Sequence, residues 1–327
     1  MNNIRAILLG AGNVARAFAR VATELSIVGI ADSTCALRLE RLADLQGVLE
    51  HKEAGGSLRD YFSAERRLDV DGLLGLVRNL GVSVLIETLP TNLHDGQPAL
   101  SWILAALSQG VAVVTVDKGP LVCAYDGLMA AARQGGARIA FRGTTGVWPP
   151  PDMIREEIVE IEGVLNGTTN YILSCMCEGG LSFEEALRNA RLHGIAEPDP
   201  TLDIEGWDSA AKILILSKTF MNGQGDLRNV VRTGIGASTQ QMINTARSGG
   251  KVVRLMARAR RSSGGVELCV EPEIVPPGSS FFDVSGTHKA AVFRTAGNDR
   301  VFVRGVSGRE AIARTILDDV RQVTQPR

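Results

Sequence analysis

Short apolar runs and helical stripes take turns along the first 141 residues. Ile4 to Leu9, Ile27 to Ala31, Val82 to Glu87, Val111 to Val116 and Ala137 to Phe141 are the apolar runs. Such runs are made by parallel strands covered on both faces. Asn13 to Glu24, Gln97 to Gln109 and Tyr125 to Gln134 carry the helical pattern between them. Strands alternating with helices predict a doubly wound parallel sheet. Leu37 to Ser63, with Gly55-Gly56 inside it, fits no single element and reads as an insertion.

The pattern changes at Pro149-Pro150-Pro151, which interrupts any regular element and marks a domain boundary. Beyond it, Ile158 to Leu165 reads as a strand and Thr169 to Cys177 as a helix. Ser182 with Glu185 three positions on is a capping box, and Phe183, Ala186, Leu187 and Ala190 give the helix behind it an apolar face. Trp207 to Phe220 is a further helix, Val252 to Arg260 and Val266 to Pro272 are a pair of strands, and Gly308 to Val320 is a closing helix. The second region therefore mixes antiparallel sheet with helices.

Composition narrows the class of function. Of the 327 residues 45% are apolar and 22% charged, ordinary for a globular protein. Thirty-five basic residues against thirty-six acidic ones leave a net charge of -1. A chain this neutral has no general attraction to nucleic acid or to anionic lipid. No apolar run reaches the roughly 18 residues of a membrane span. The N-terminus lacks the layout of a signal peptide, and Cys35, Cys123, Cys175, Cys177 and Cys269 form no C-x-x-C, so a cytoplasmic protein is expected. Four scattered histidines offer no metal cluster.

The chemistry begins at Gly10-Ala11-Gly12-Asn13-Val14-Ala15, between the first strand and the first helix. It fits G-x-G-x-x-A: one glycine for the tight turn, one for the approach of a pyrophosphate, and a small residue for helix packing. Asp32 follows twenty positions after Gly12, where a carboxylate accepts from ribose hydroxyls and repels a 2′-phosphate. That favours NAD over NADP, although Arg38 lies near enough in sequence to hold a 2′-phosphate. The plainer reading of Asp32 is a cap on a helix containing Leu37. Lys118 follows the Val111 to Val116 strand, at the end of the sheet where ligands bind, or is an ordinary surface lysine.

Asp208 and Lys212 are four apart on a helix that is apolar nearly all round, with Trp207, Ala210, Ala211, Ile213, Leu214, Ile215 and Leu216. Such a helix is buried, and charges on it are costly unless paired, which marks the pair as functional. Glu197 stands in the Pro-rich loop before that helix.

The segments Gly163-Val164-Leu165-Asn166-Gly167-Thr168-Thr169-Asn170-Tyr171-Ile172-Leu173 and Ala196-Glu197-Pro198-Asp199-Pro200-Thr201-Leu202-Asp203-Ile204-Glu205-Gly206-Trp207-Asp208-Ser209-Ala210-Ala211-Lys212 resemble the catalytic-domain motifs of homoserine dehydrogenases. The glycine turn, the segment Val114-Thr115-Val116-Asp117-Lys118-Gly119 and the stretch from Gly305 to Val320 fit that family as well. The resemblance implies a Rossmann-type nucleotide domain over 1–141, completed by about 300–327, and an α+β catalytic and dimerisation domain over 150–299. It implies reversible hydride transfer between NAD(P)H and L-aspartate 4-semialdehyde, giving L-homoserine on the route to threonine and methionine, by a cytoplasmic homodimer. Lys118 and Lys212 would serve the reacting oxygen, with Lys212 the proton donor. Glu197 and Asp208 would hold the substrate's ammonium group and the lysines, and Gly10, Gly12, Asn13, Val14, Asp32, Thr88 and Lys118 would serve the cofactor. No regulatory ligand-binding domain is expected after residue 327.

Two departures stand out. Phe141-Arg142 replaces the aromatic-Glu pair that begins the family's monovalent-cation segment, and Val147-Trp148 replace small residues in it. Arg142 argues against a cation site here, and Trp148 against an unaltered substrate pocket. The alternatives are an oxidoreductase of this family acting on another amino-acid-derived substrate, and a non-catalytic dinucleotide-binding sensor.

Overall fold

The computed structural model describes residues 4–325 apart from 33, 34, 41, 62–66, 69–71, 73, 74, 76 and 78. The chain divides into two compact units, Met1–Thr144 with Gly308–Arg327, and Thr145–Ser307.

The first unit is built on seven strands: β1 (Ile4–Leu9), β2 (Leu25–Ala31), β3 (Ala36–Arg38), β4 (Arg67–Leu68), β5 (Val84–Glu87), β6 (Ala112–Thr115) and β7 (Ile139–Ala140). Their order in the sheet is β4-β3-β2-β1-β5-β6-β7. The five from β2 to β7 are parallel, because helices carry the chain back to the same end between them. The chain leaves β1 for β2 on one side and β5 pairs on the other, so a crevice opens beyond the carboxyl ends of β1 and β5. β3 and β4 extend the sheet antiparallel.

That extension corrects two sequence readings. Leu37 belongs to neither an insertion nor a helix capped by Asp32. It pairs with Ile30 in β2, and the strand is followed by helices Leu42–Glu53 and Leu58–Tyr61. Ala36 and Leu37 are fully apolar and buried, and a two-residue apolar pair is too short to show either period. The core of this unit joins Leu8, Phe18, Ile30, Leu37 and Ile86 to Ala313, Ile316 and Val320 of the closing helix Arg309–Thr324.

The second unit holds a six-stranded sheet of β8 (Ile158–Val164), β9 (Val231–Arg232), β10 (Val252–Ser262), β11 (Gly265–Val275), β12 (Ala290–Thr295) and β13 (Arg300–Arg304), in the order β13-β12-β8-β10-β11-β9. All pairs but β9 with β11 are antiparallel. Residues 300–304 therefore lie in this sheet, and the return to the first unit begins at Gly308. The helix Trp207–Met221 packs on β8, β10 and β11 and is buried from Ser209 to Ser217. The Ser182–Glu185 capping box forms with both of its reciprocal hydrogen bonds. Among the described residues no helix is long and apolar enough to cross a membrane.

Candidate active site

In the first unit, Gly10 turns the chain out of β1 at φ +103°, and a Cβ there would lie 2.4 Å from Thr88 Oγ1. Only glycine fits both the dihedral and the space. Thr88 is tied to the same place, since its amide and hydroxyl both donate to the Leu9 carbonyl, at 2.7 and 2.9 Å. Gly12 is the opposite case. A Cβ there would meet nothing within 4 Å, so the turn presents open backbone at the start of helix Asn13–Val21. No side chain caps that helix, which leaves the amides of Asn13 and Val14 for an anion.

Asp32 ends β2 beside this turn. Its Oδ1 accepts from the Cys35 amide at 3.3 Å, and its Oδ2 accepts from Lys52 Nζ at 2.9 Å. The carboxylate is shaped by its own hairpin and half neutralised by a lysine from the next helix. Arg38 is exposed on β3.

Lys118 sits at the first turn of helix Gly119–Gly135, where a helix dipole disfavours a cation. Asp117 offsets this by accepting from the Gly119 amide at 2.8 Å. Lys118 itself is half-buried and donates to Thr91 Oγ1 at 3.3 Å. Behind it, Glu87 is fully buried and accepts from the Leu89 amide and the Thr115 hydroxyl. Burial first, then the nearby Asp117 charge, push the Glu87 pKa up to about 8.

In the second unit a charged knot forms around helix Trp207–Met221. Lys212, 7% exposed, donates to Asp208 Oδ2 at 2.6 Å and to the Leu165 carbonyl at 2.8 Å. Asn166 caps helix Gly167–Gly179 through its Oδ1, which accepts from the Thr169 amide, and its Nδ2 donates to Asp203 Oδ1 at 2.6 Å and Asp208 Oδ2 at 2.8 Å. Burial, then the Asp208 charge, raise the Asp203 pKa. Two carboxylates thus face one ammonium, and the third N–H of Lys212 has no partner among the described residues.

The structure thus pairs Asp208 with Lys212, and gathers Gly10, Gly12 and Thr88, as separate clusters in separate units. Glu197 is exposed on its loop and is not among the partners of Lys212. Asn166 and Asp203 were missed by sequence reasoning. Both lie inside motif segments, but an Asn before a helix and an Asp in a short loop read as ordinary caps.

The departures also take definite places. Arg142 pairs through Nε and its amide with Asp319, a carboxylate 1% exposed on the closing helix. A cationic side chain committed to that partner offers no ligand to a monovalent cation. Trp148 stacks edge-on against Phe220, ring centroids 4.9 Å apart, and Phe220 against Phe293. Phe220 is eight residues beyond Lys212, about 12 Å along the helix. Trp148 takes part in that aromatic packing.

The sequence profile of the homoserine dehydrogenase family matches residues 152–320. A homoserine dehydrogenase of Methanocaldococcus jannaschii is 34% identical, over 96% of this chain and 96% of its own. An NAD(+)-dependent homoserine dehydrogenase of Pseudomonas canavaninivorans is 29% identical, over 99% of this chain and 97% of its own. A hyperthermophilic archaeal homoserine dehydrogenase solved in complex with NADPH superposes with a TM-score of 0.78 at 25% identity, over 98% of each chain. The profile takes in the Lys212 knot, the first relative extends the likeness over 96% of the chain, and the chain belongs to the homoserine dehydrogenase family of NAD(P)-dependent oxidoreductases.

Proposed function

We propose that the chain interconverts L-homoserine and L-aspartate 4-semialdehyde with a nicotinamide dinucleotide, on the way to threonine and methionine. The observation that carries this reading is the buried Lys212 ammonium, held by Asp208 and Leu165 with one N–H to give. The first unit fits the cofactor: the open approach at Gly12, the uncapped helix amides and the Asp32 carboxylate match a pyrophosphate and a ribose. The bound nicotinamide supplies the hydride in one direction and accepts it in the other.

Reduction of an aldehyde builds negative charge on oxygen, which a positioned ammonium stabilises and a proton then quenches. Lys212 is the proton donor, and Asp208 orients it. Asp203 and Asp208 together outnumber Lys212 in charge, so the knot suits a substrate ammonium, with Glu197 on the loop as a further carboxylate. Lys118, in the first unit, is assigned to the reacting oxygen and the cofactor. Lys212→Ala is expected to lower kcat at least about a thousandfold, while cofactor affinity measured by fluorescence stays within about threefold. Undiminished turnover would refute the assignment.

NAD is the favoured cofactor, since Asp32 ends β2 where a 2′-phosphate would meet a carboxylate. The Lys52 ion pair weakens that repulsion and makes the margin modest. A cytoplasmic homodimer joined through the second unit completes the reading. Its sheet edges carry exposed Phe302 and Val231, and sedimentation of the intact chain reads its state.

A further inference from the structure

We propose that Thr91, braced by the buried carboxylate of Asp117, is a positioning residue that holds the Lys118 ammonium for the reaction. This rests on the reading of Lys118 as a catalytic lysine. Lys118 Nζ donates to Thr91 Oγ1 at 3.3 Å, so the hydroxyl's own proton points elsewhere. Asp117 is the acceptor at hand. It is 1% exposed, its Oδ1 is taken by the Gly119 amide, and its Oδ2 is buried without a partner at hydrogen-bond geometry. Thr91 is close enough to that carboxylate to lower its pKa against the larger effect of burial. The ammonium contacts the hydroxyl and the buried carboxylate lies near it, and the long 3.3 Å contact leaves room to tighten when ligands bind.

The backbone keeps this line short. A Cβ on Gly119 would lie 2.2 Å from the Asn92 carbonyl, so the 91–92 segment lies directly on the turn that carries Lys118. Asp117 cannot drift either, because its cap on Gly119 fixes it to the same turn. Glu87 lies close by, and burial with the nearby Asp117 charge pushes its pKa up to about 8. A lone surface lysine would need none of this. Without Thr91 the ammonium, carried on a flexible four-carbon stem, loses this acceptor.

The test is a double-mutant cycle on the full chain, read in homoserine oxidation and in cofactor binding. Thr91→Val is expected to lower kcat about tenfold with the cofactor Kd within about twofold, and Thr91→Ser to restore kcat to within about twofold of the parent. In a Lys118→Ala background, Thr91→Val should cost no more than about twofold further. A parental kcat in Thr91→Val, no rescue by Thr91→Ser, or the full tenfold loss persisting without Lys118 would overturn the proposal. If Lys118→Ala alone keeps parental turnover, the role of Lys118 falls first and Thr91 with it.

Discussion

Glu87 ends β5 with its carboxyl sealed from water, one oxygen on the Leu89 amide and the other on the Thr115 hydroxyl at 2.5 Å. The native protein keeps that proton up to about pH 8, whereas the unfolded chain releases it near 4.5. Between those values the native state binds more protons than the unfolded state, so this group's contribution to stability is complete below about pH 4.5 and is lost as pH rises through 8. Glu87→Gln imitates the protonated form and can serve both partners. Its Tm is expected to gain on the parent's by about 5 °C as pH goes from 5 to 8. A constant Tm difference across that range would show that Glu87 is ionised throughout. At this scale the sequence exposed Asp208 and Lys212, because charges on an all-round apolar helix are conspicuous. It hid Glu87, Asp117 and Thr91, because a carboxylate or hydroxyl at a strand end looks the same whether it is solvated or sealed.

Elements were legible where one period ran long enough. Helix Trp207–Met221 matches its sequence span within a residue, since nothing interrupts its apolar faces. Helix Gly119–Gly135 begins six residues before the expected Tyr125 because Ala124 leaves helical dihedrals, at φ −146° and ψ 37°, and breaks the pattern in two. Pro120 in its first turn was the available signal. The closing helix Arg309–Thr324 comes from the far end of the chain and buries Ile316, Leu317 and Val320 in the core with Leu8, Phe18 and Ile86. A chain ended after Ser307 is expected to lose cofactor binding, measured by reduced-nicotinamide fluorescence, together with a share of its helical circular dichroism. Binding at parental affinity would show that the helix is dispensable to the first unit.

In the whole molecule, the first unit holds the glycine turn with Thr88, Asp32 and Lys118, and the second holds the carboxylate-rich knot around Lys212. The doubly wound half was readable from alternating runs of strand and helix. The sheet order of the second half was not, since hairpins such as β12–β13 depend on long-range pairing that no local period encodes. Trp148 and Arg142, the two departures from the family pattern, contact Phe220 and Asp319. The most direct measurement is the absorbance of reduced nicotinamide on mixing the purified chain with L-homoserine and either NAD or NADP. The account predicts reduction of both, faster with NAD by a modest factor. No reduction of either, with cofactor binding demonstrated, would contradict it.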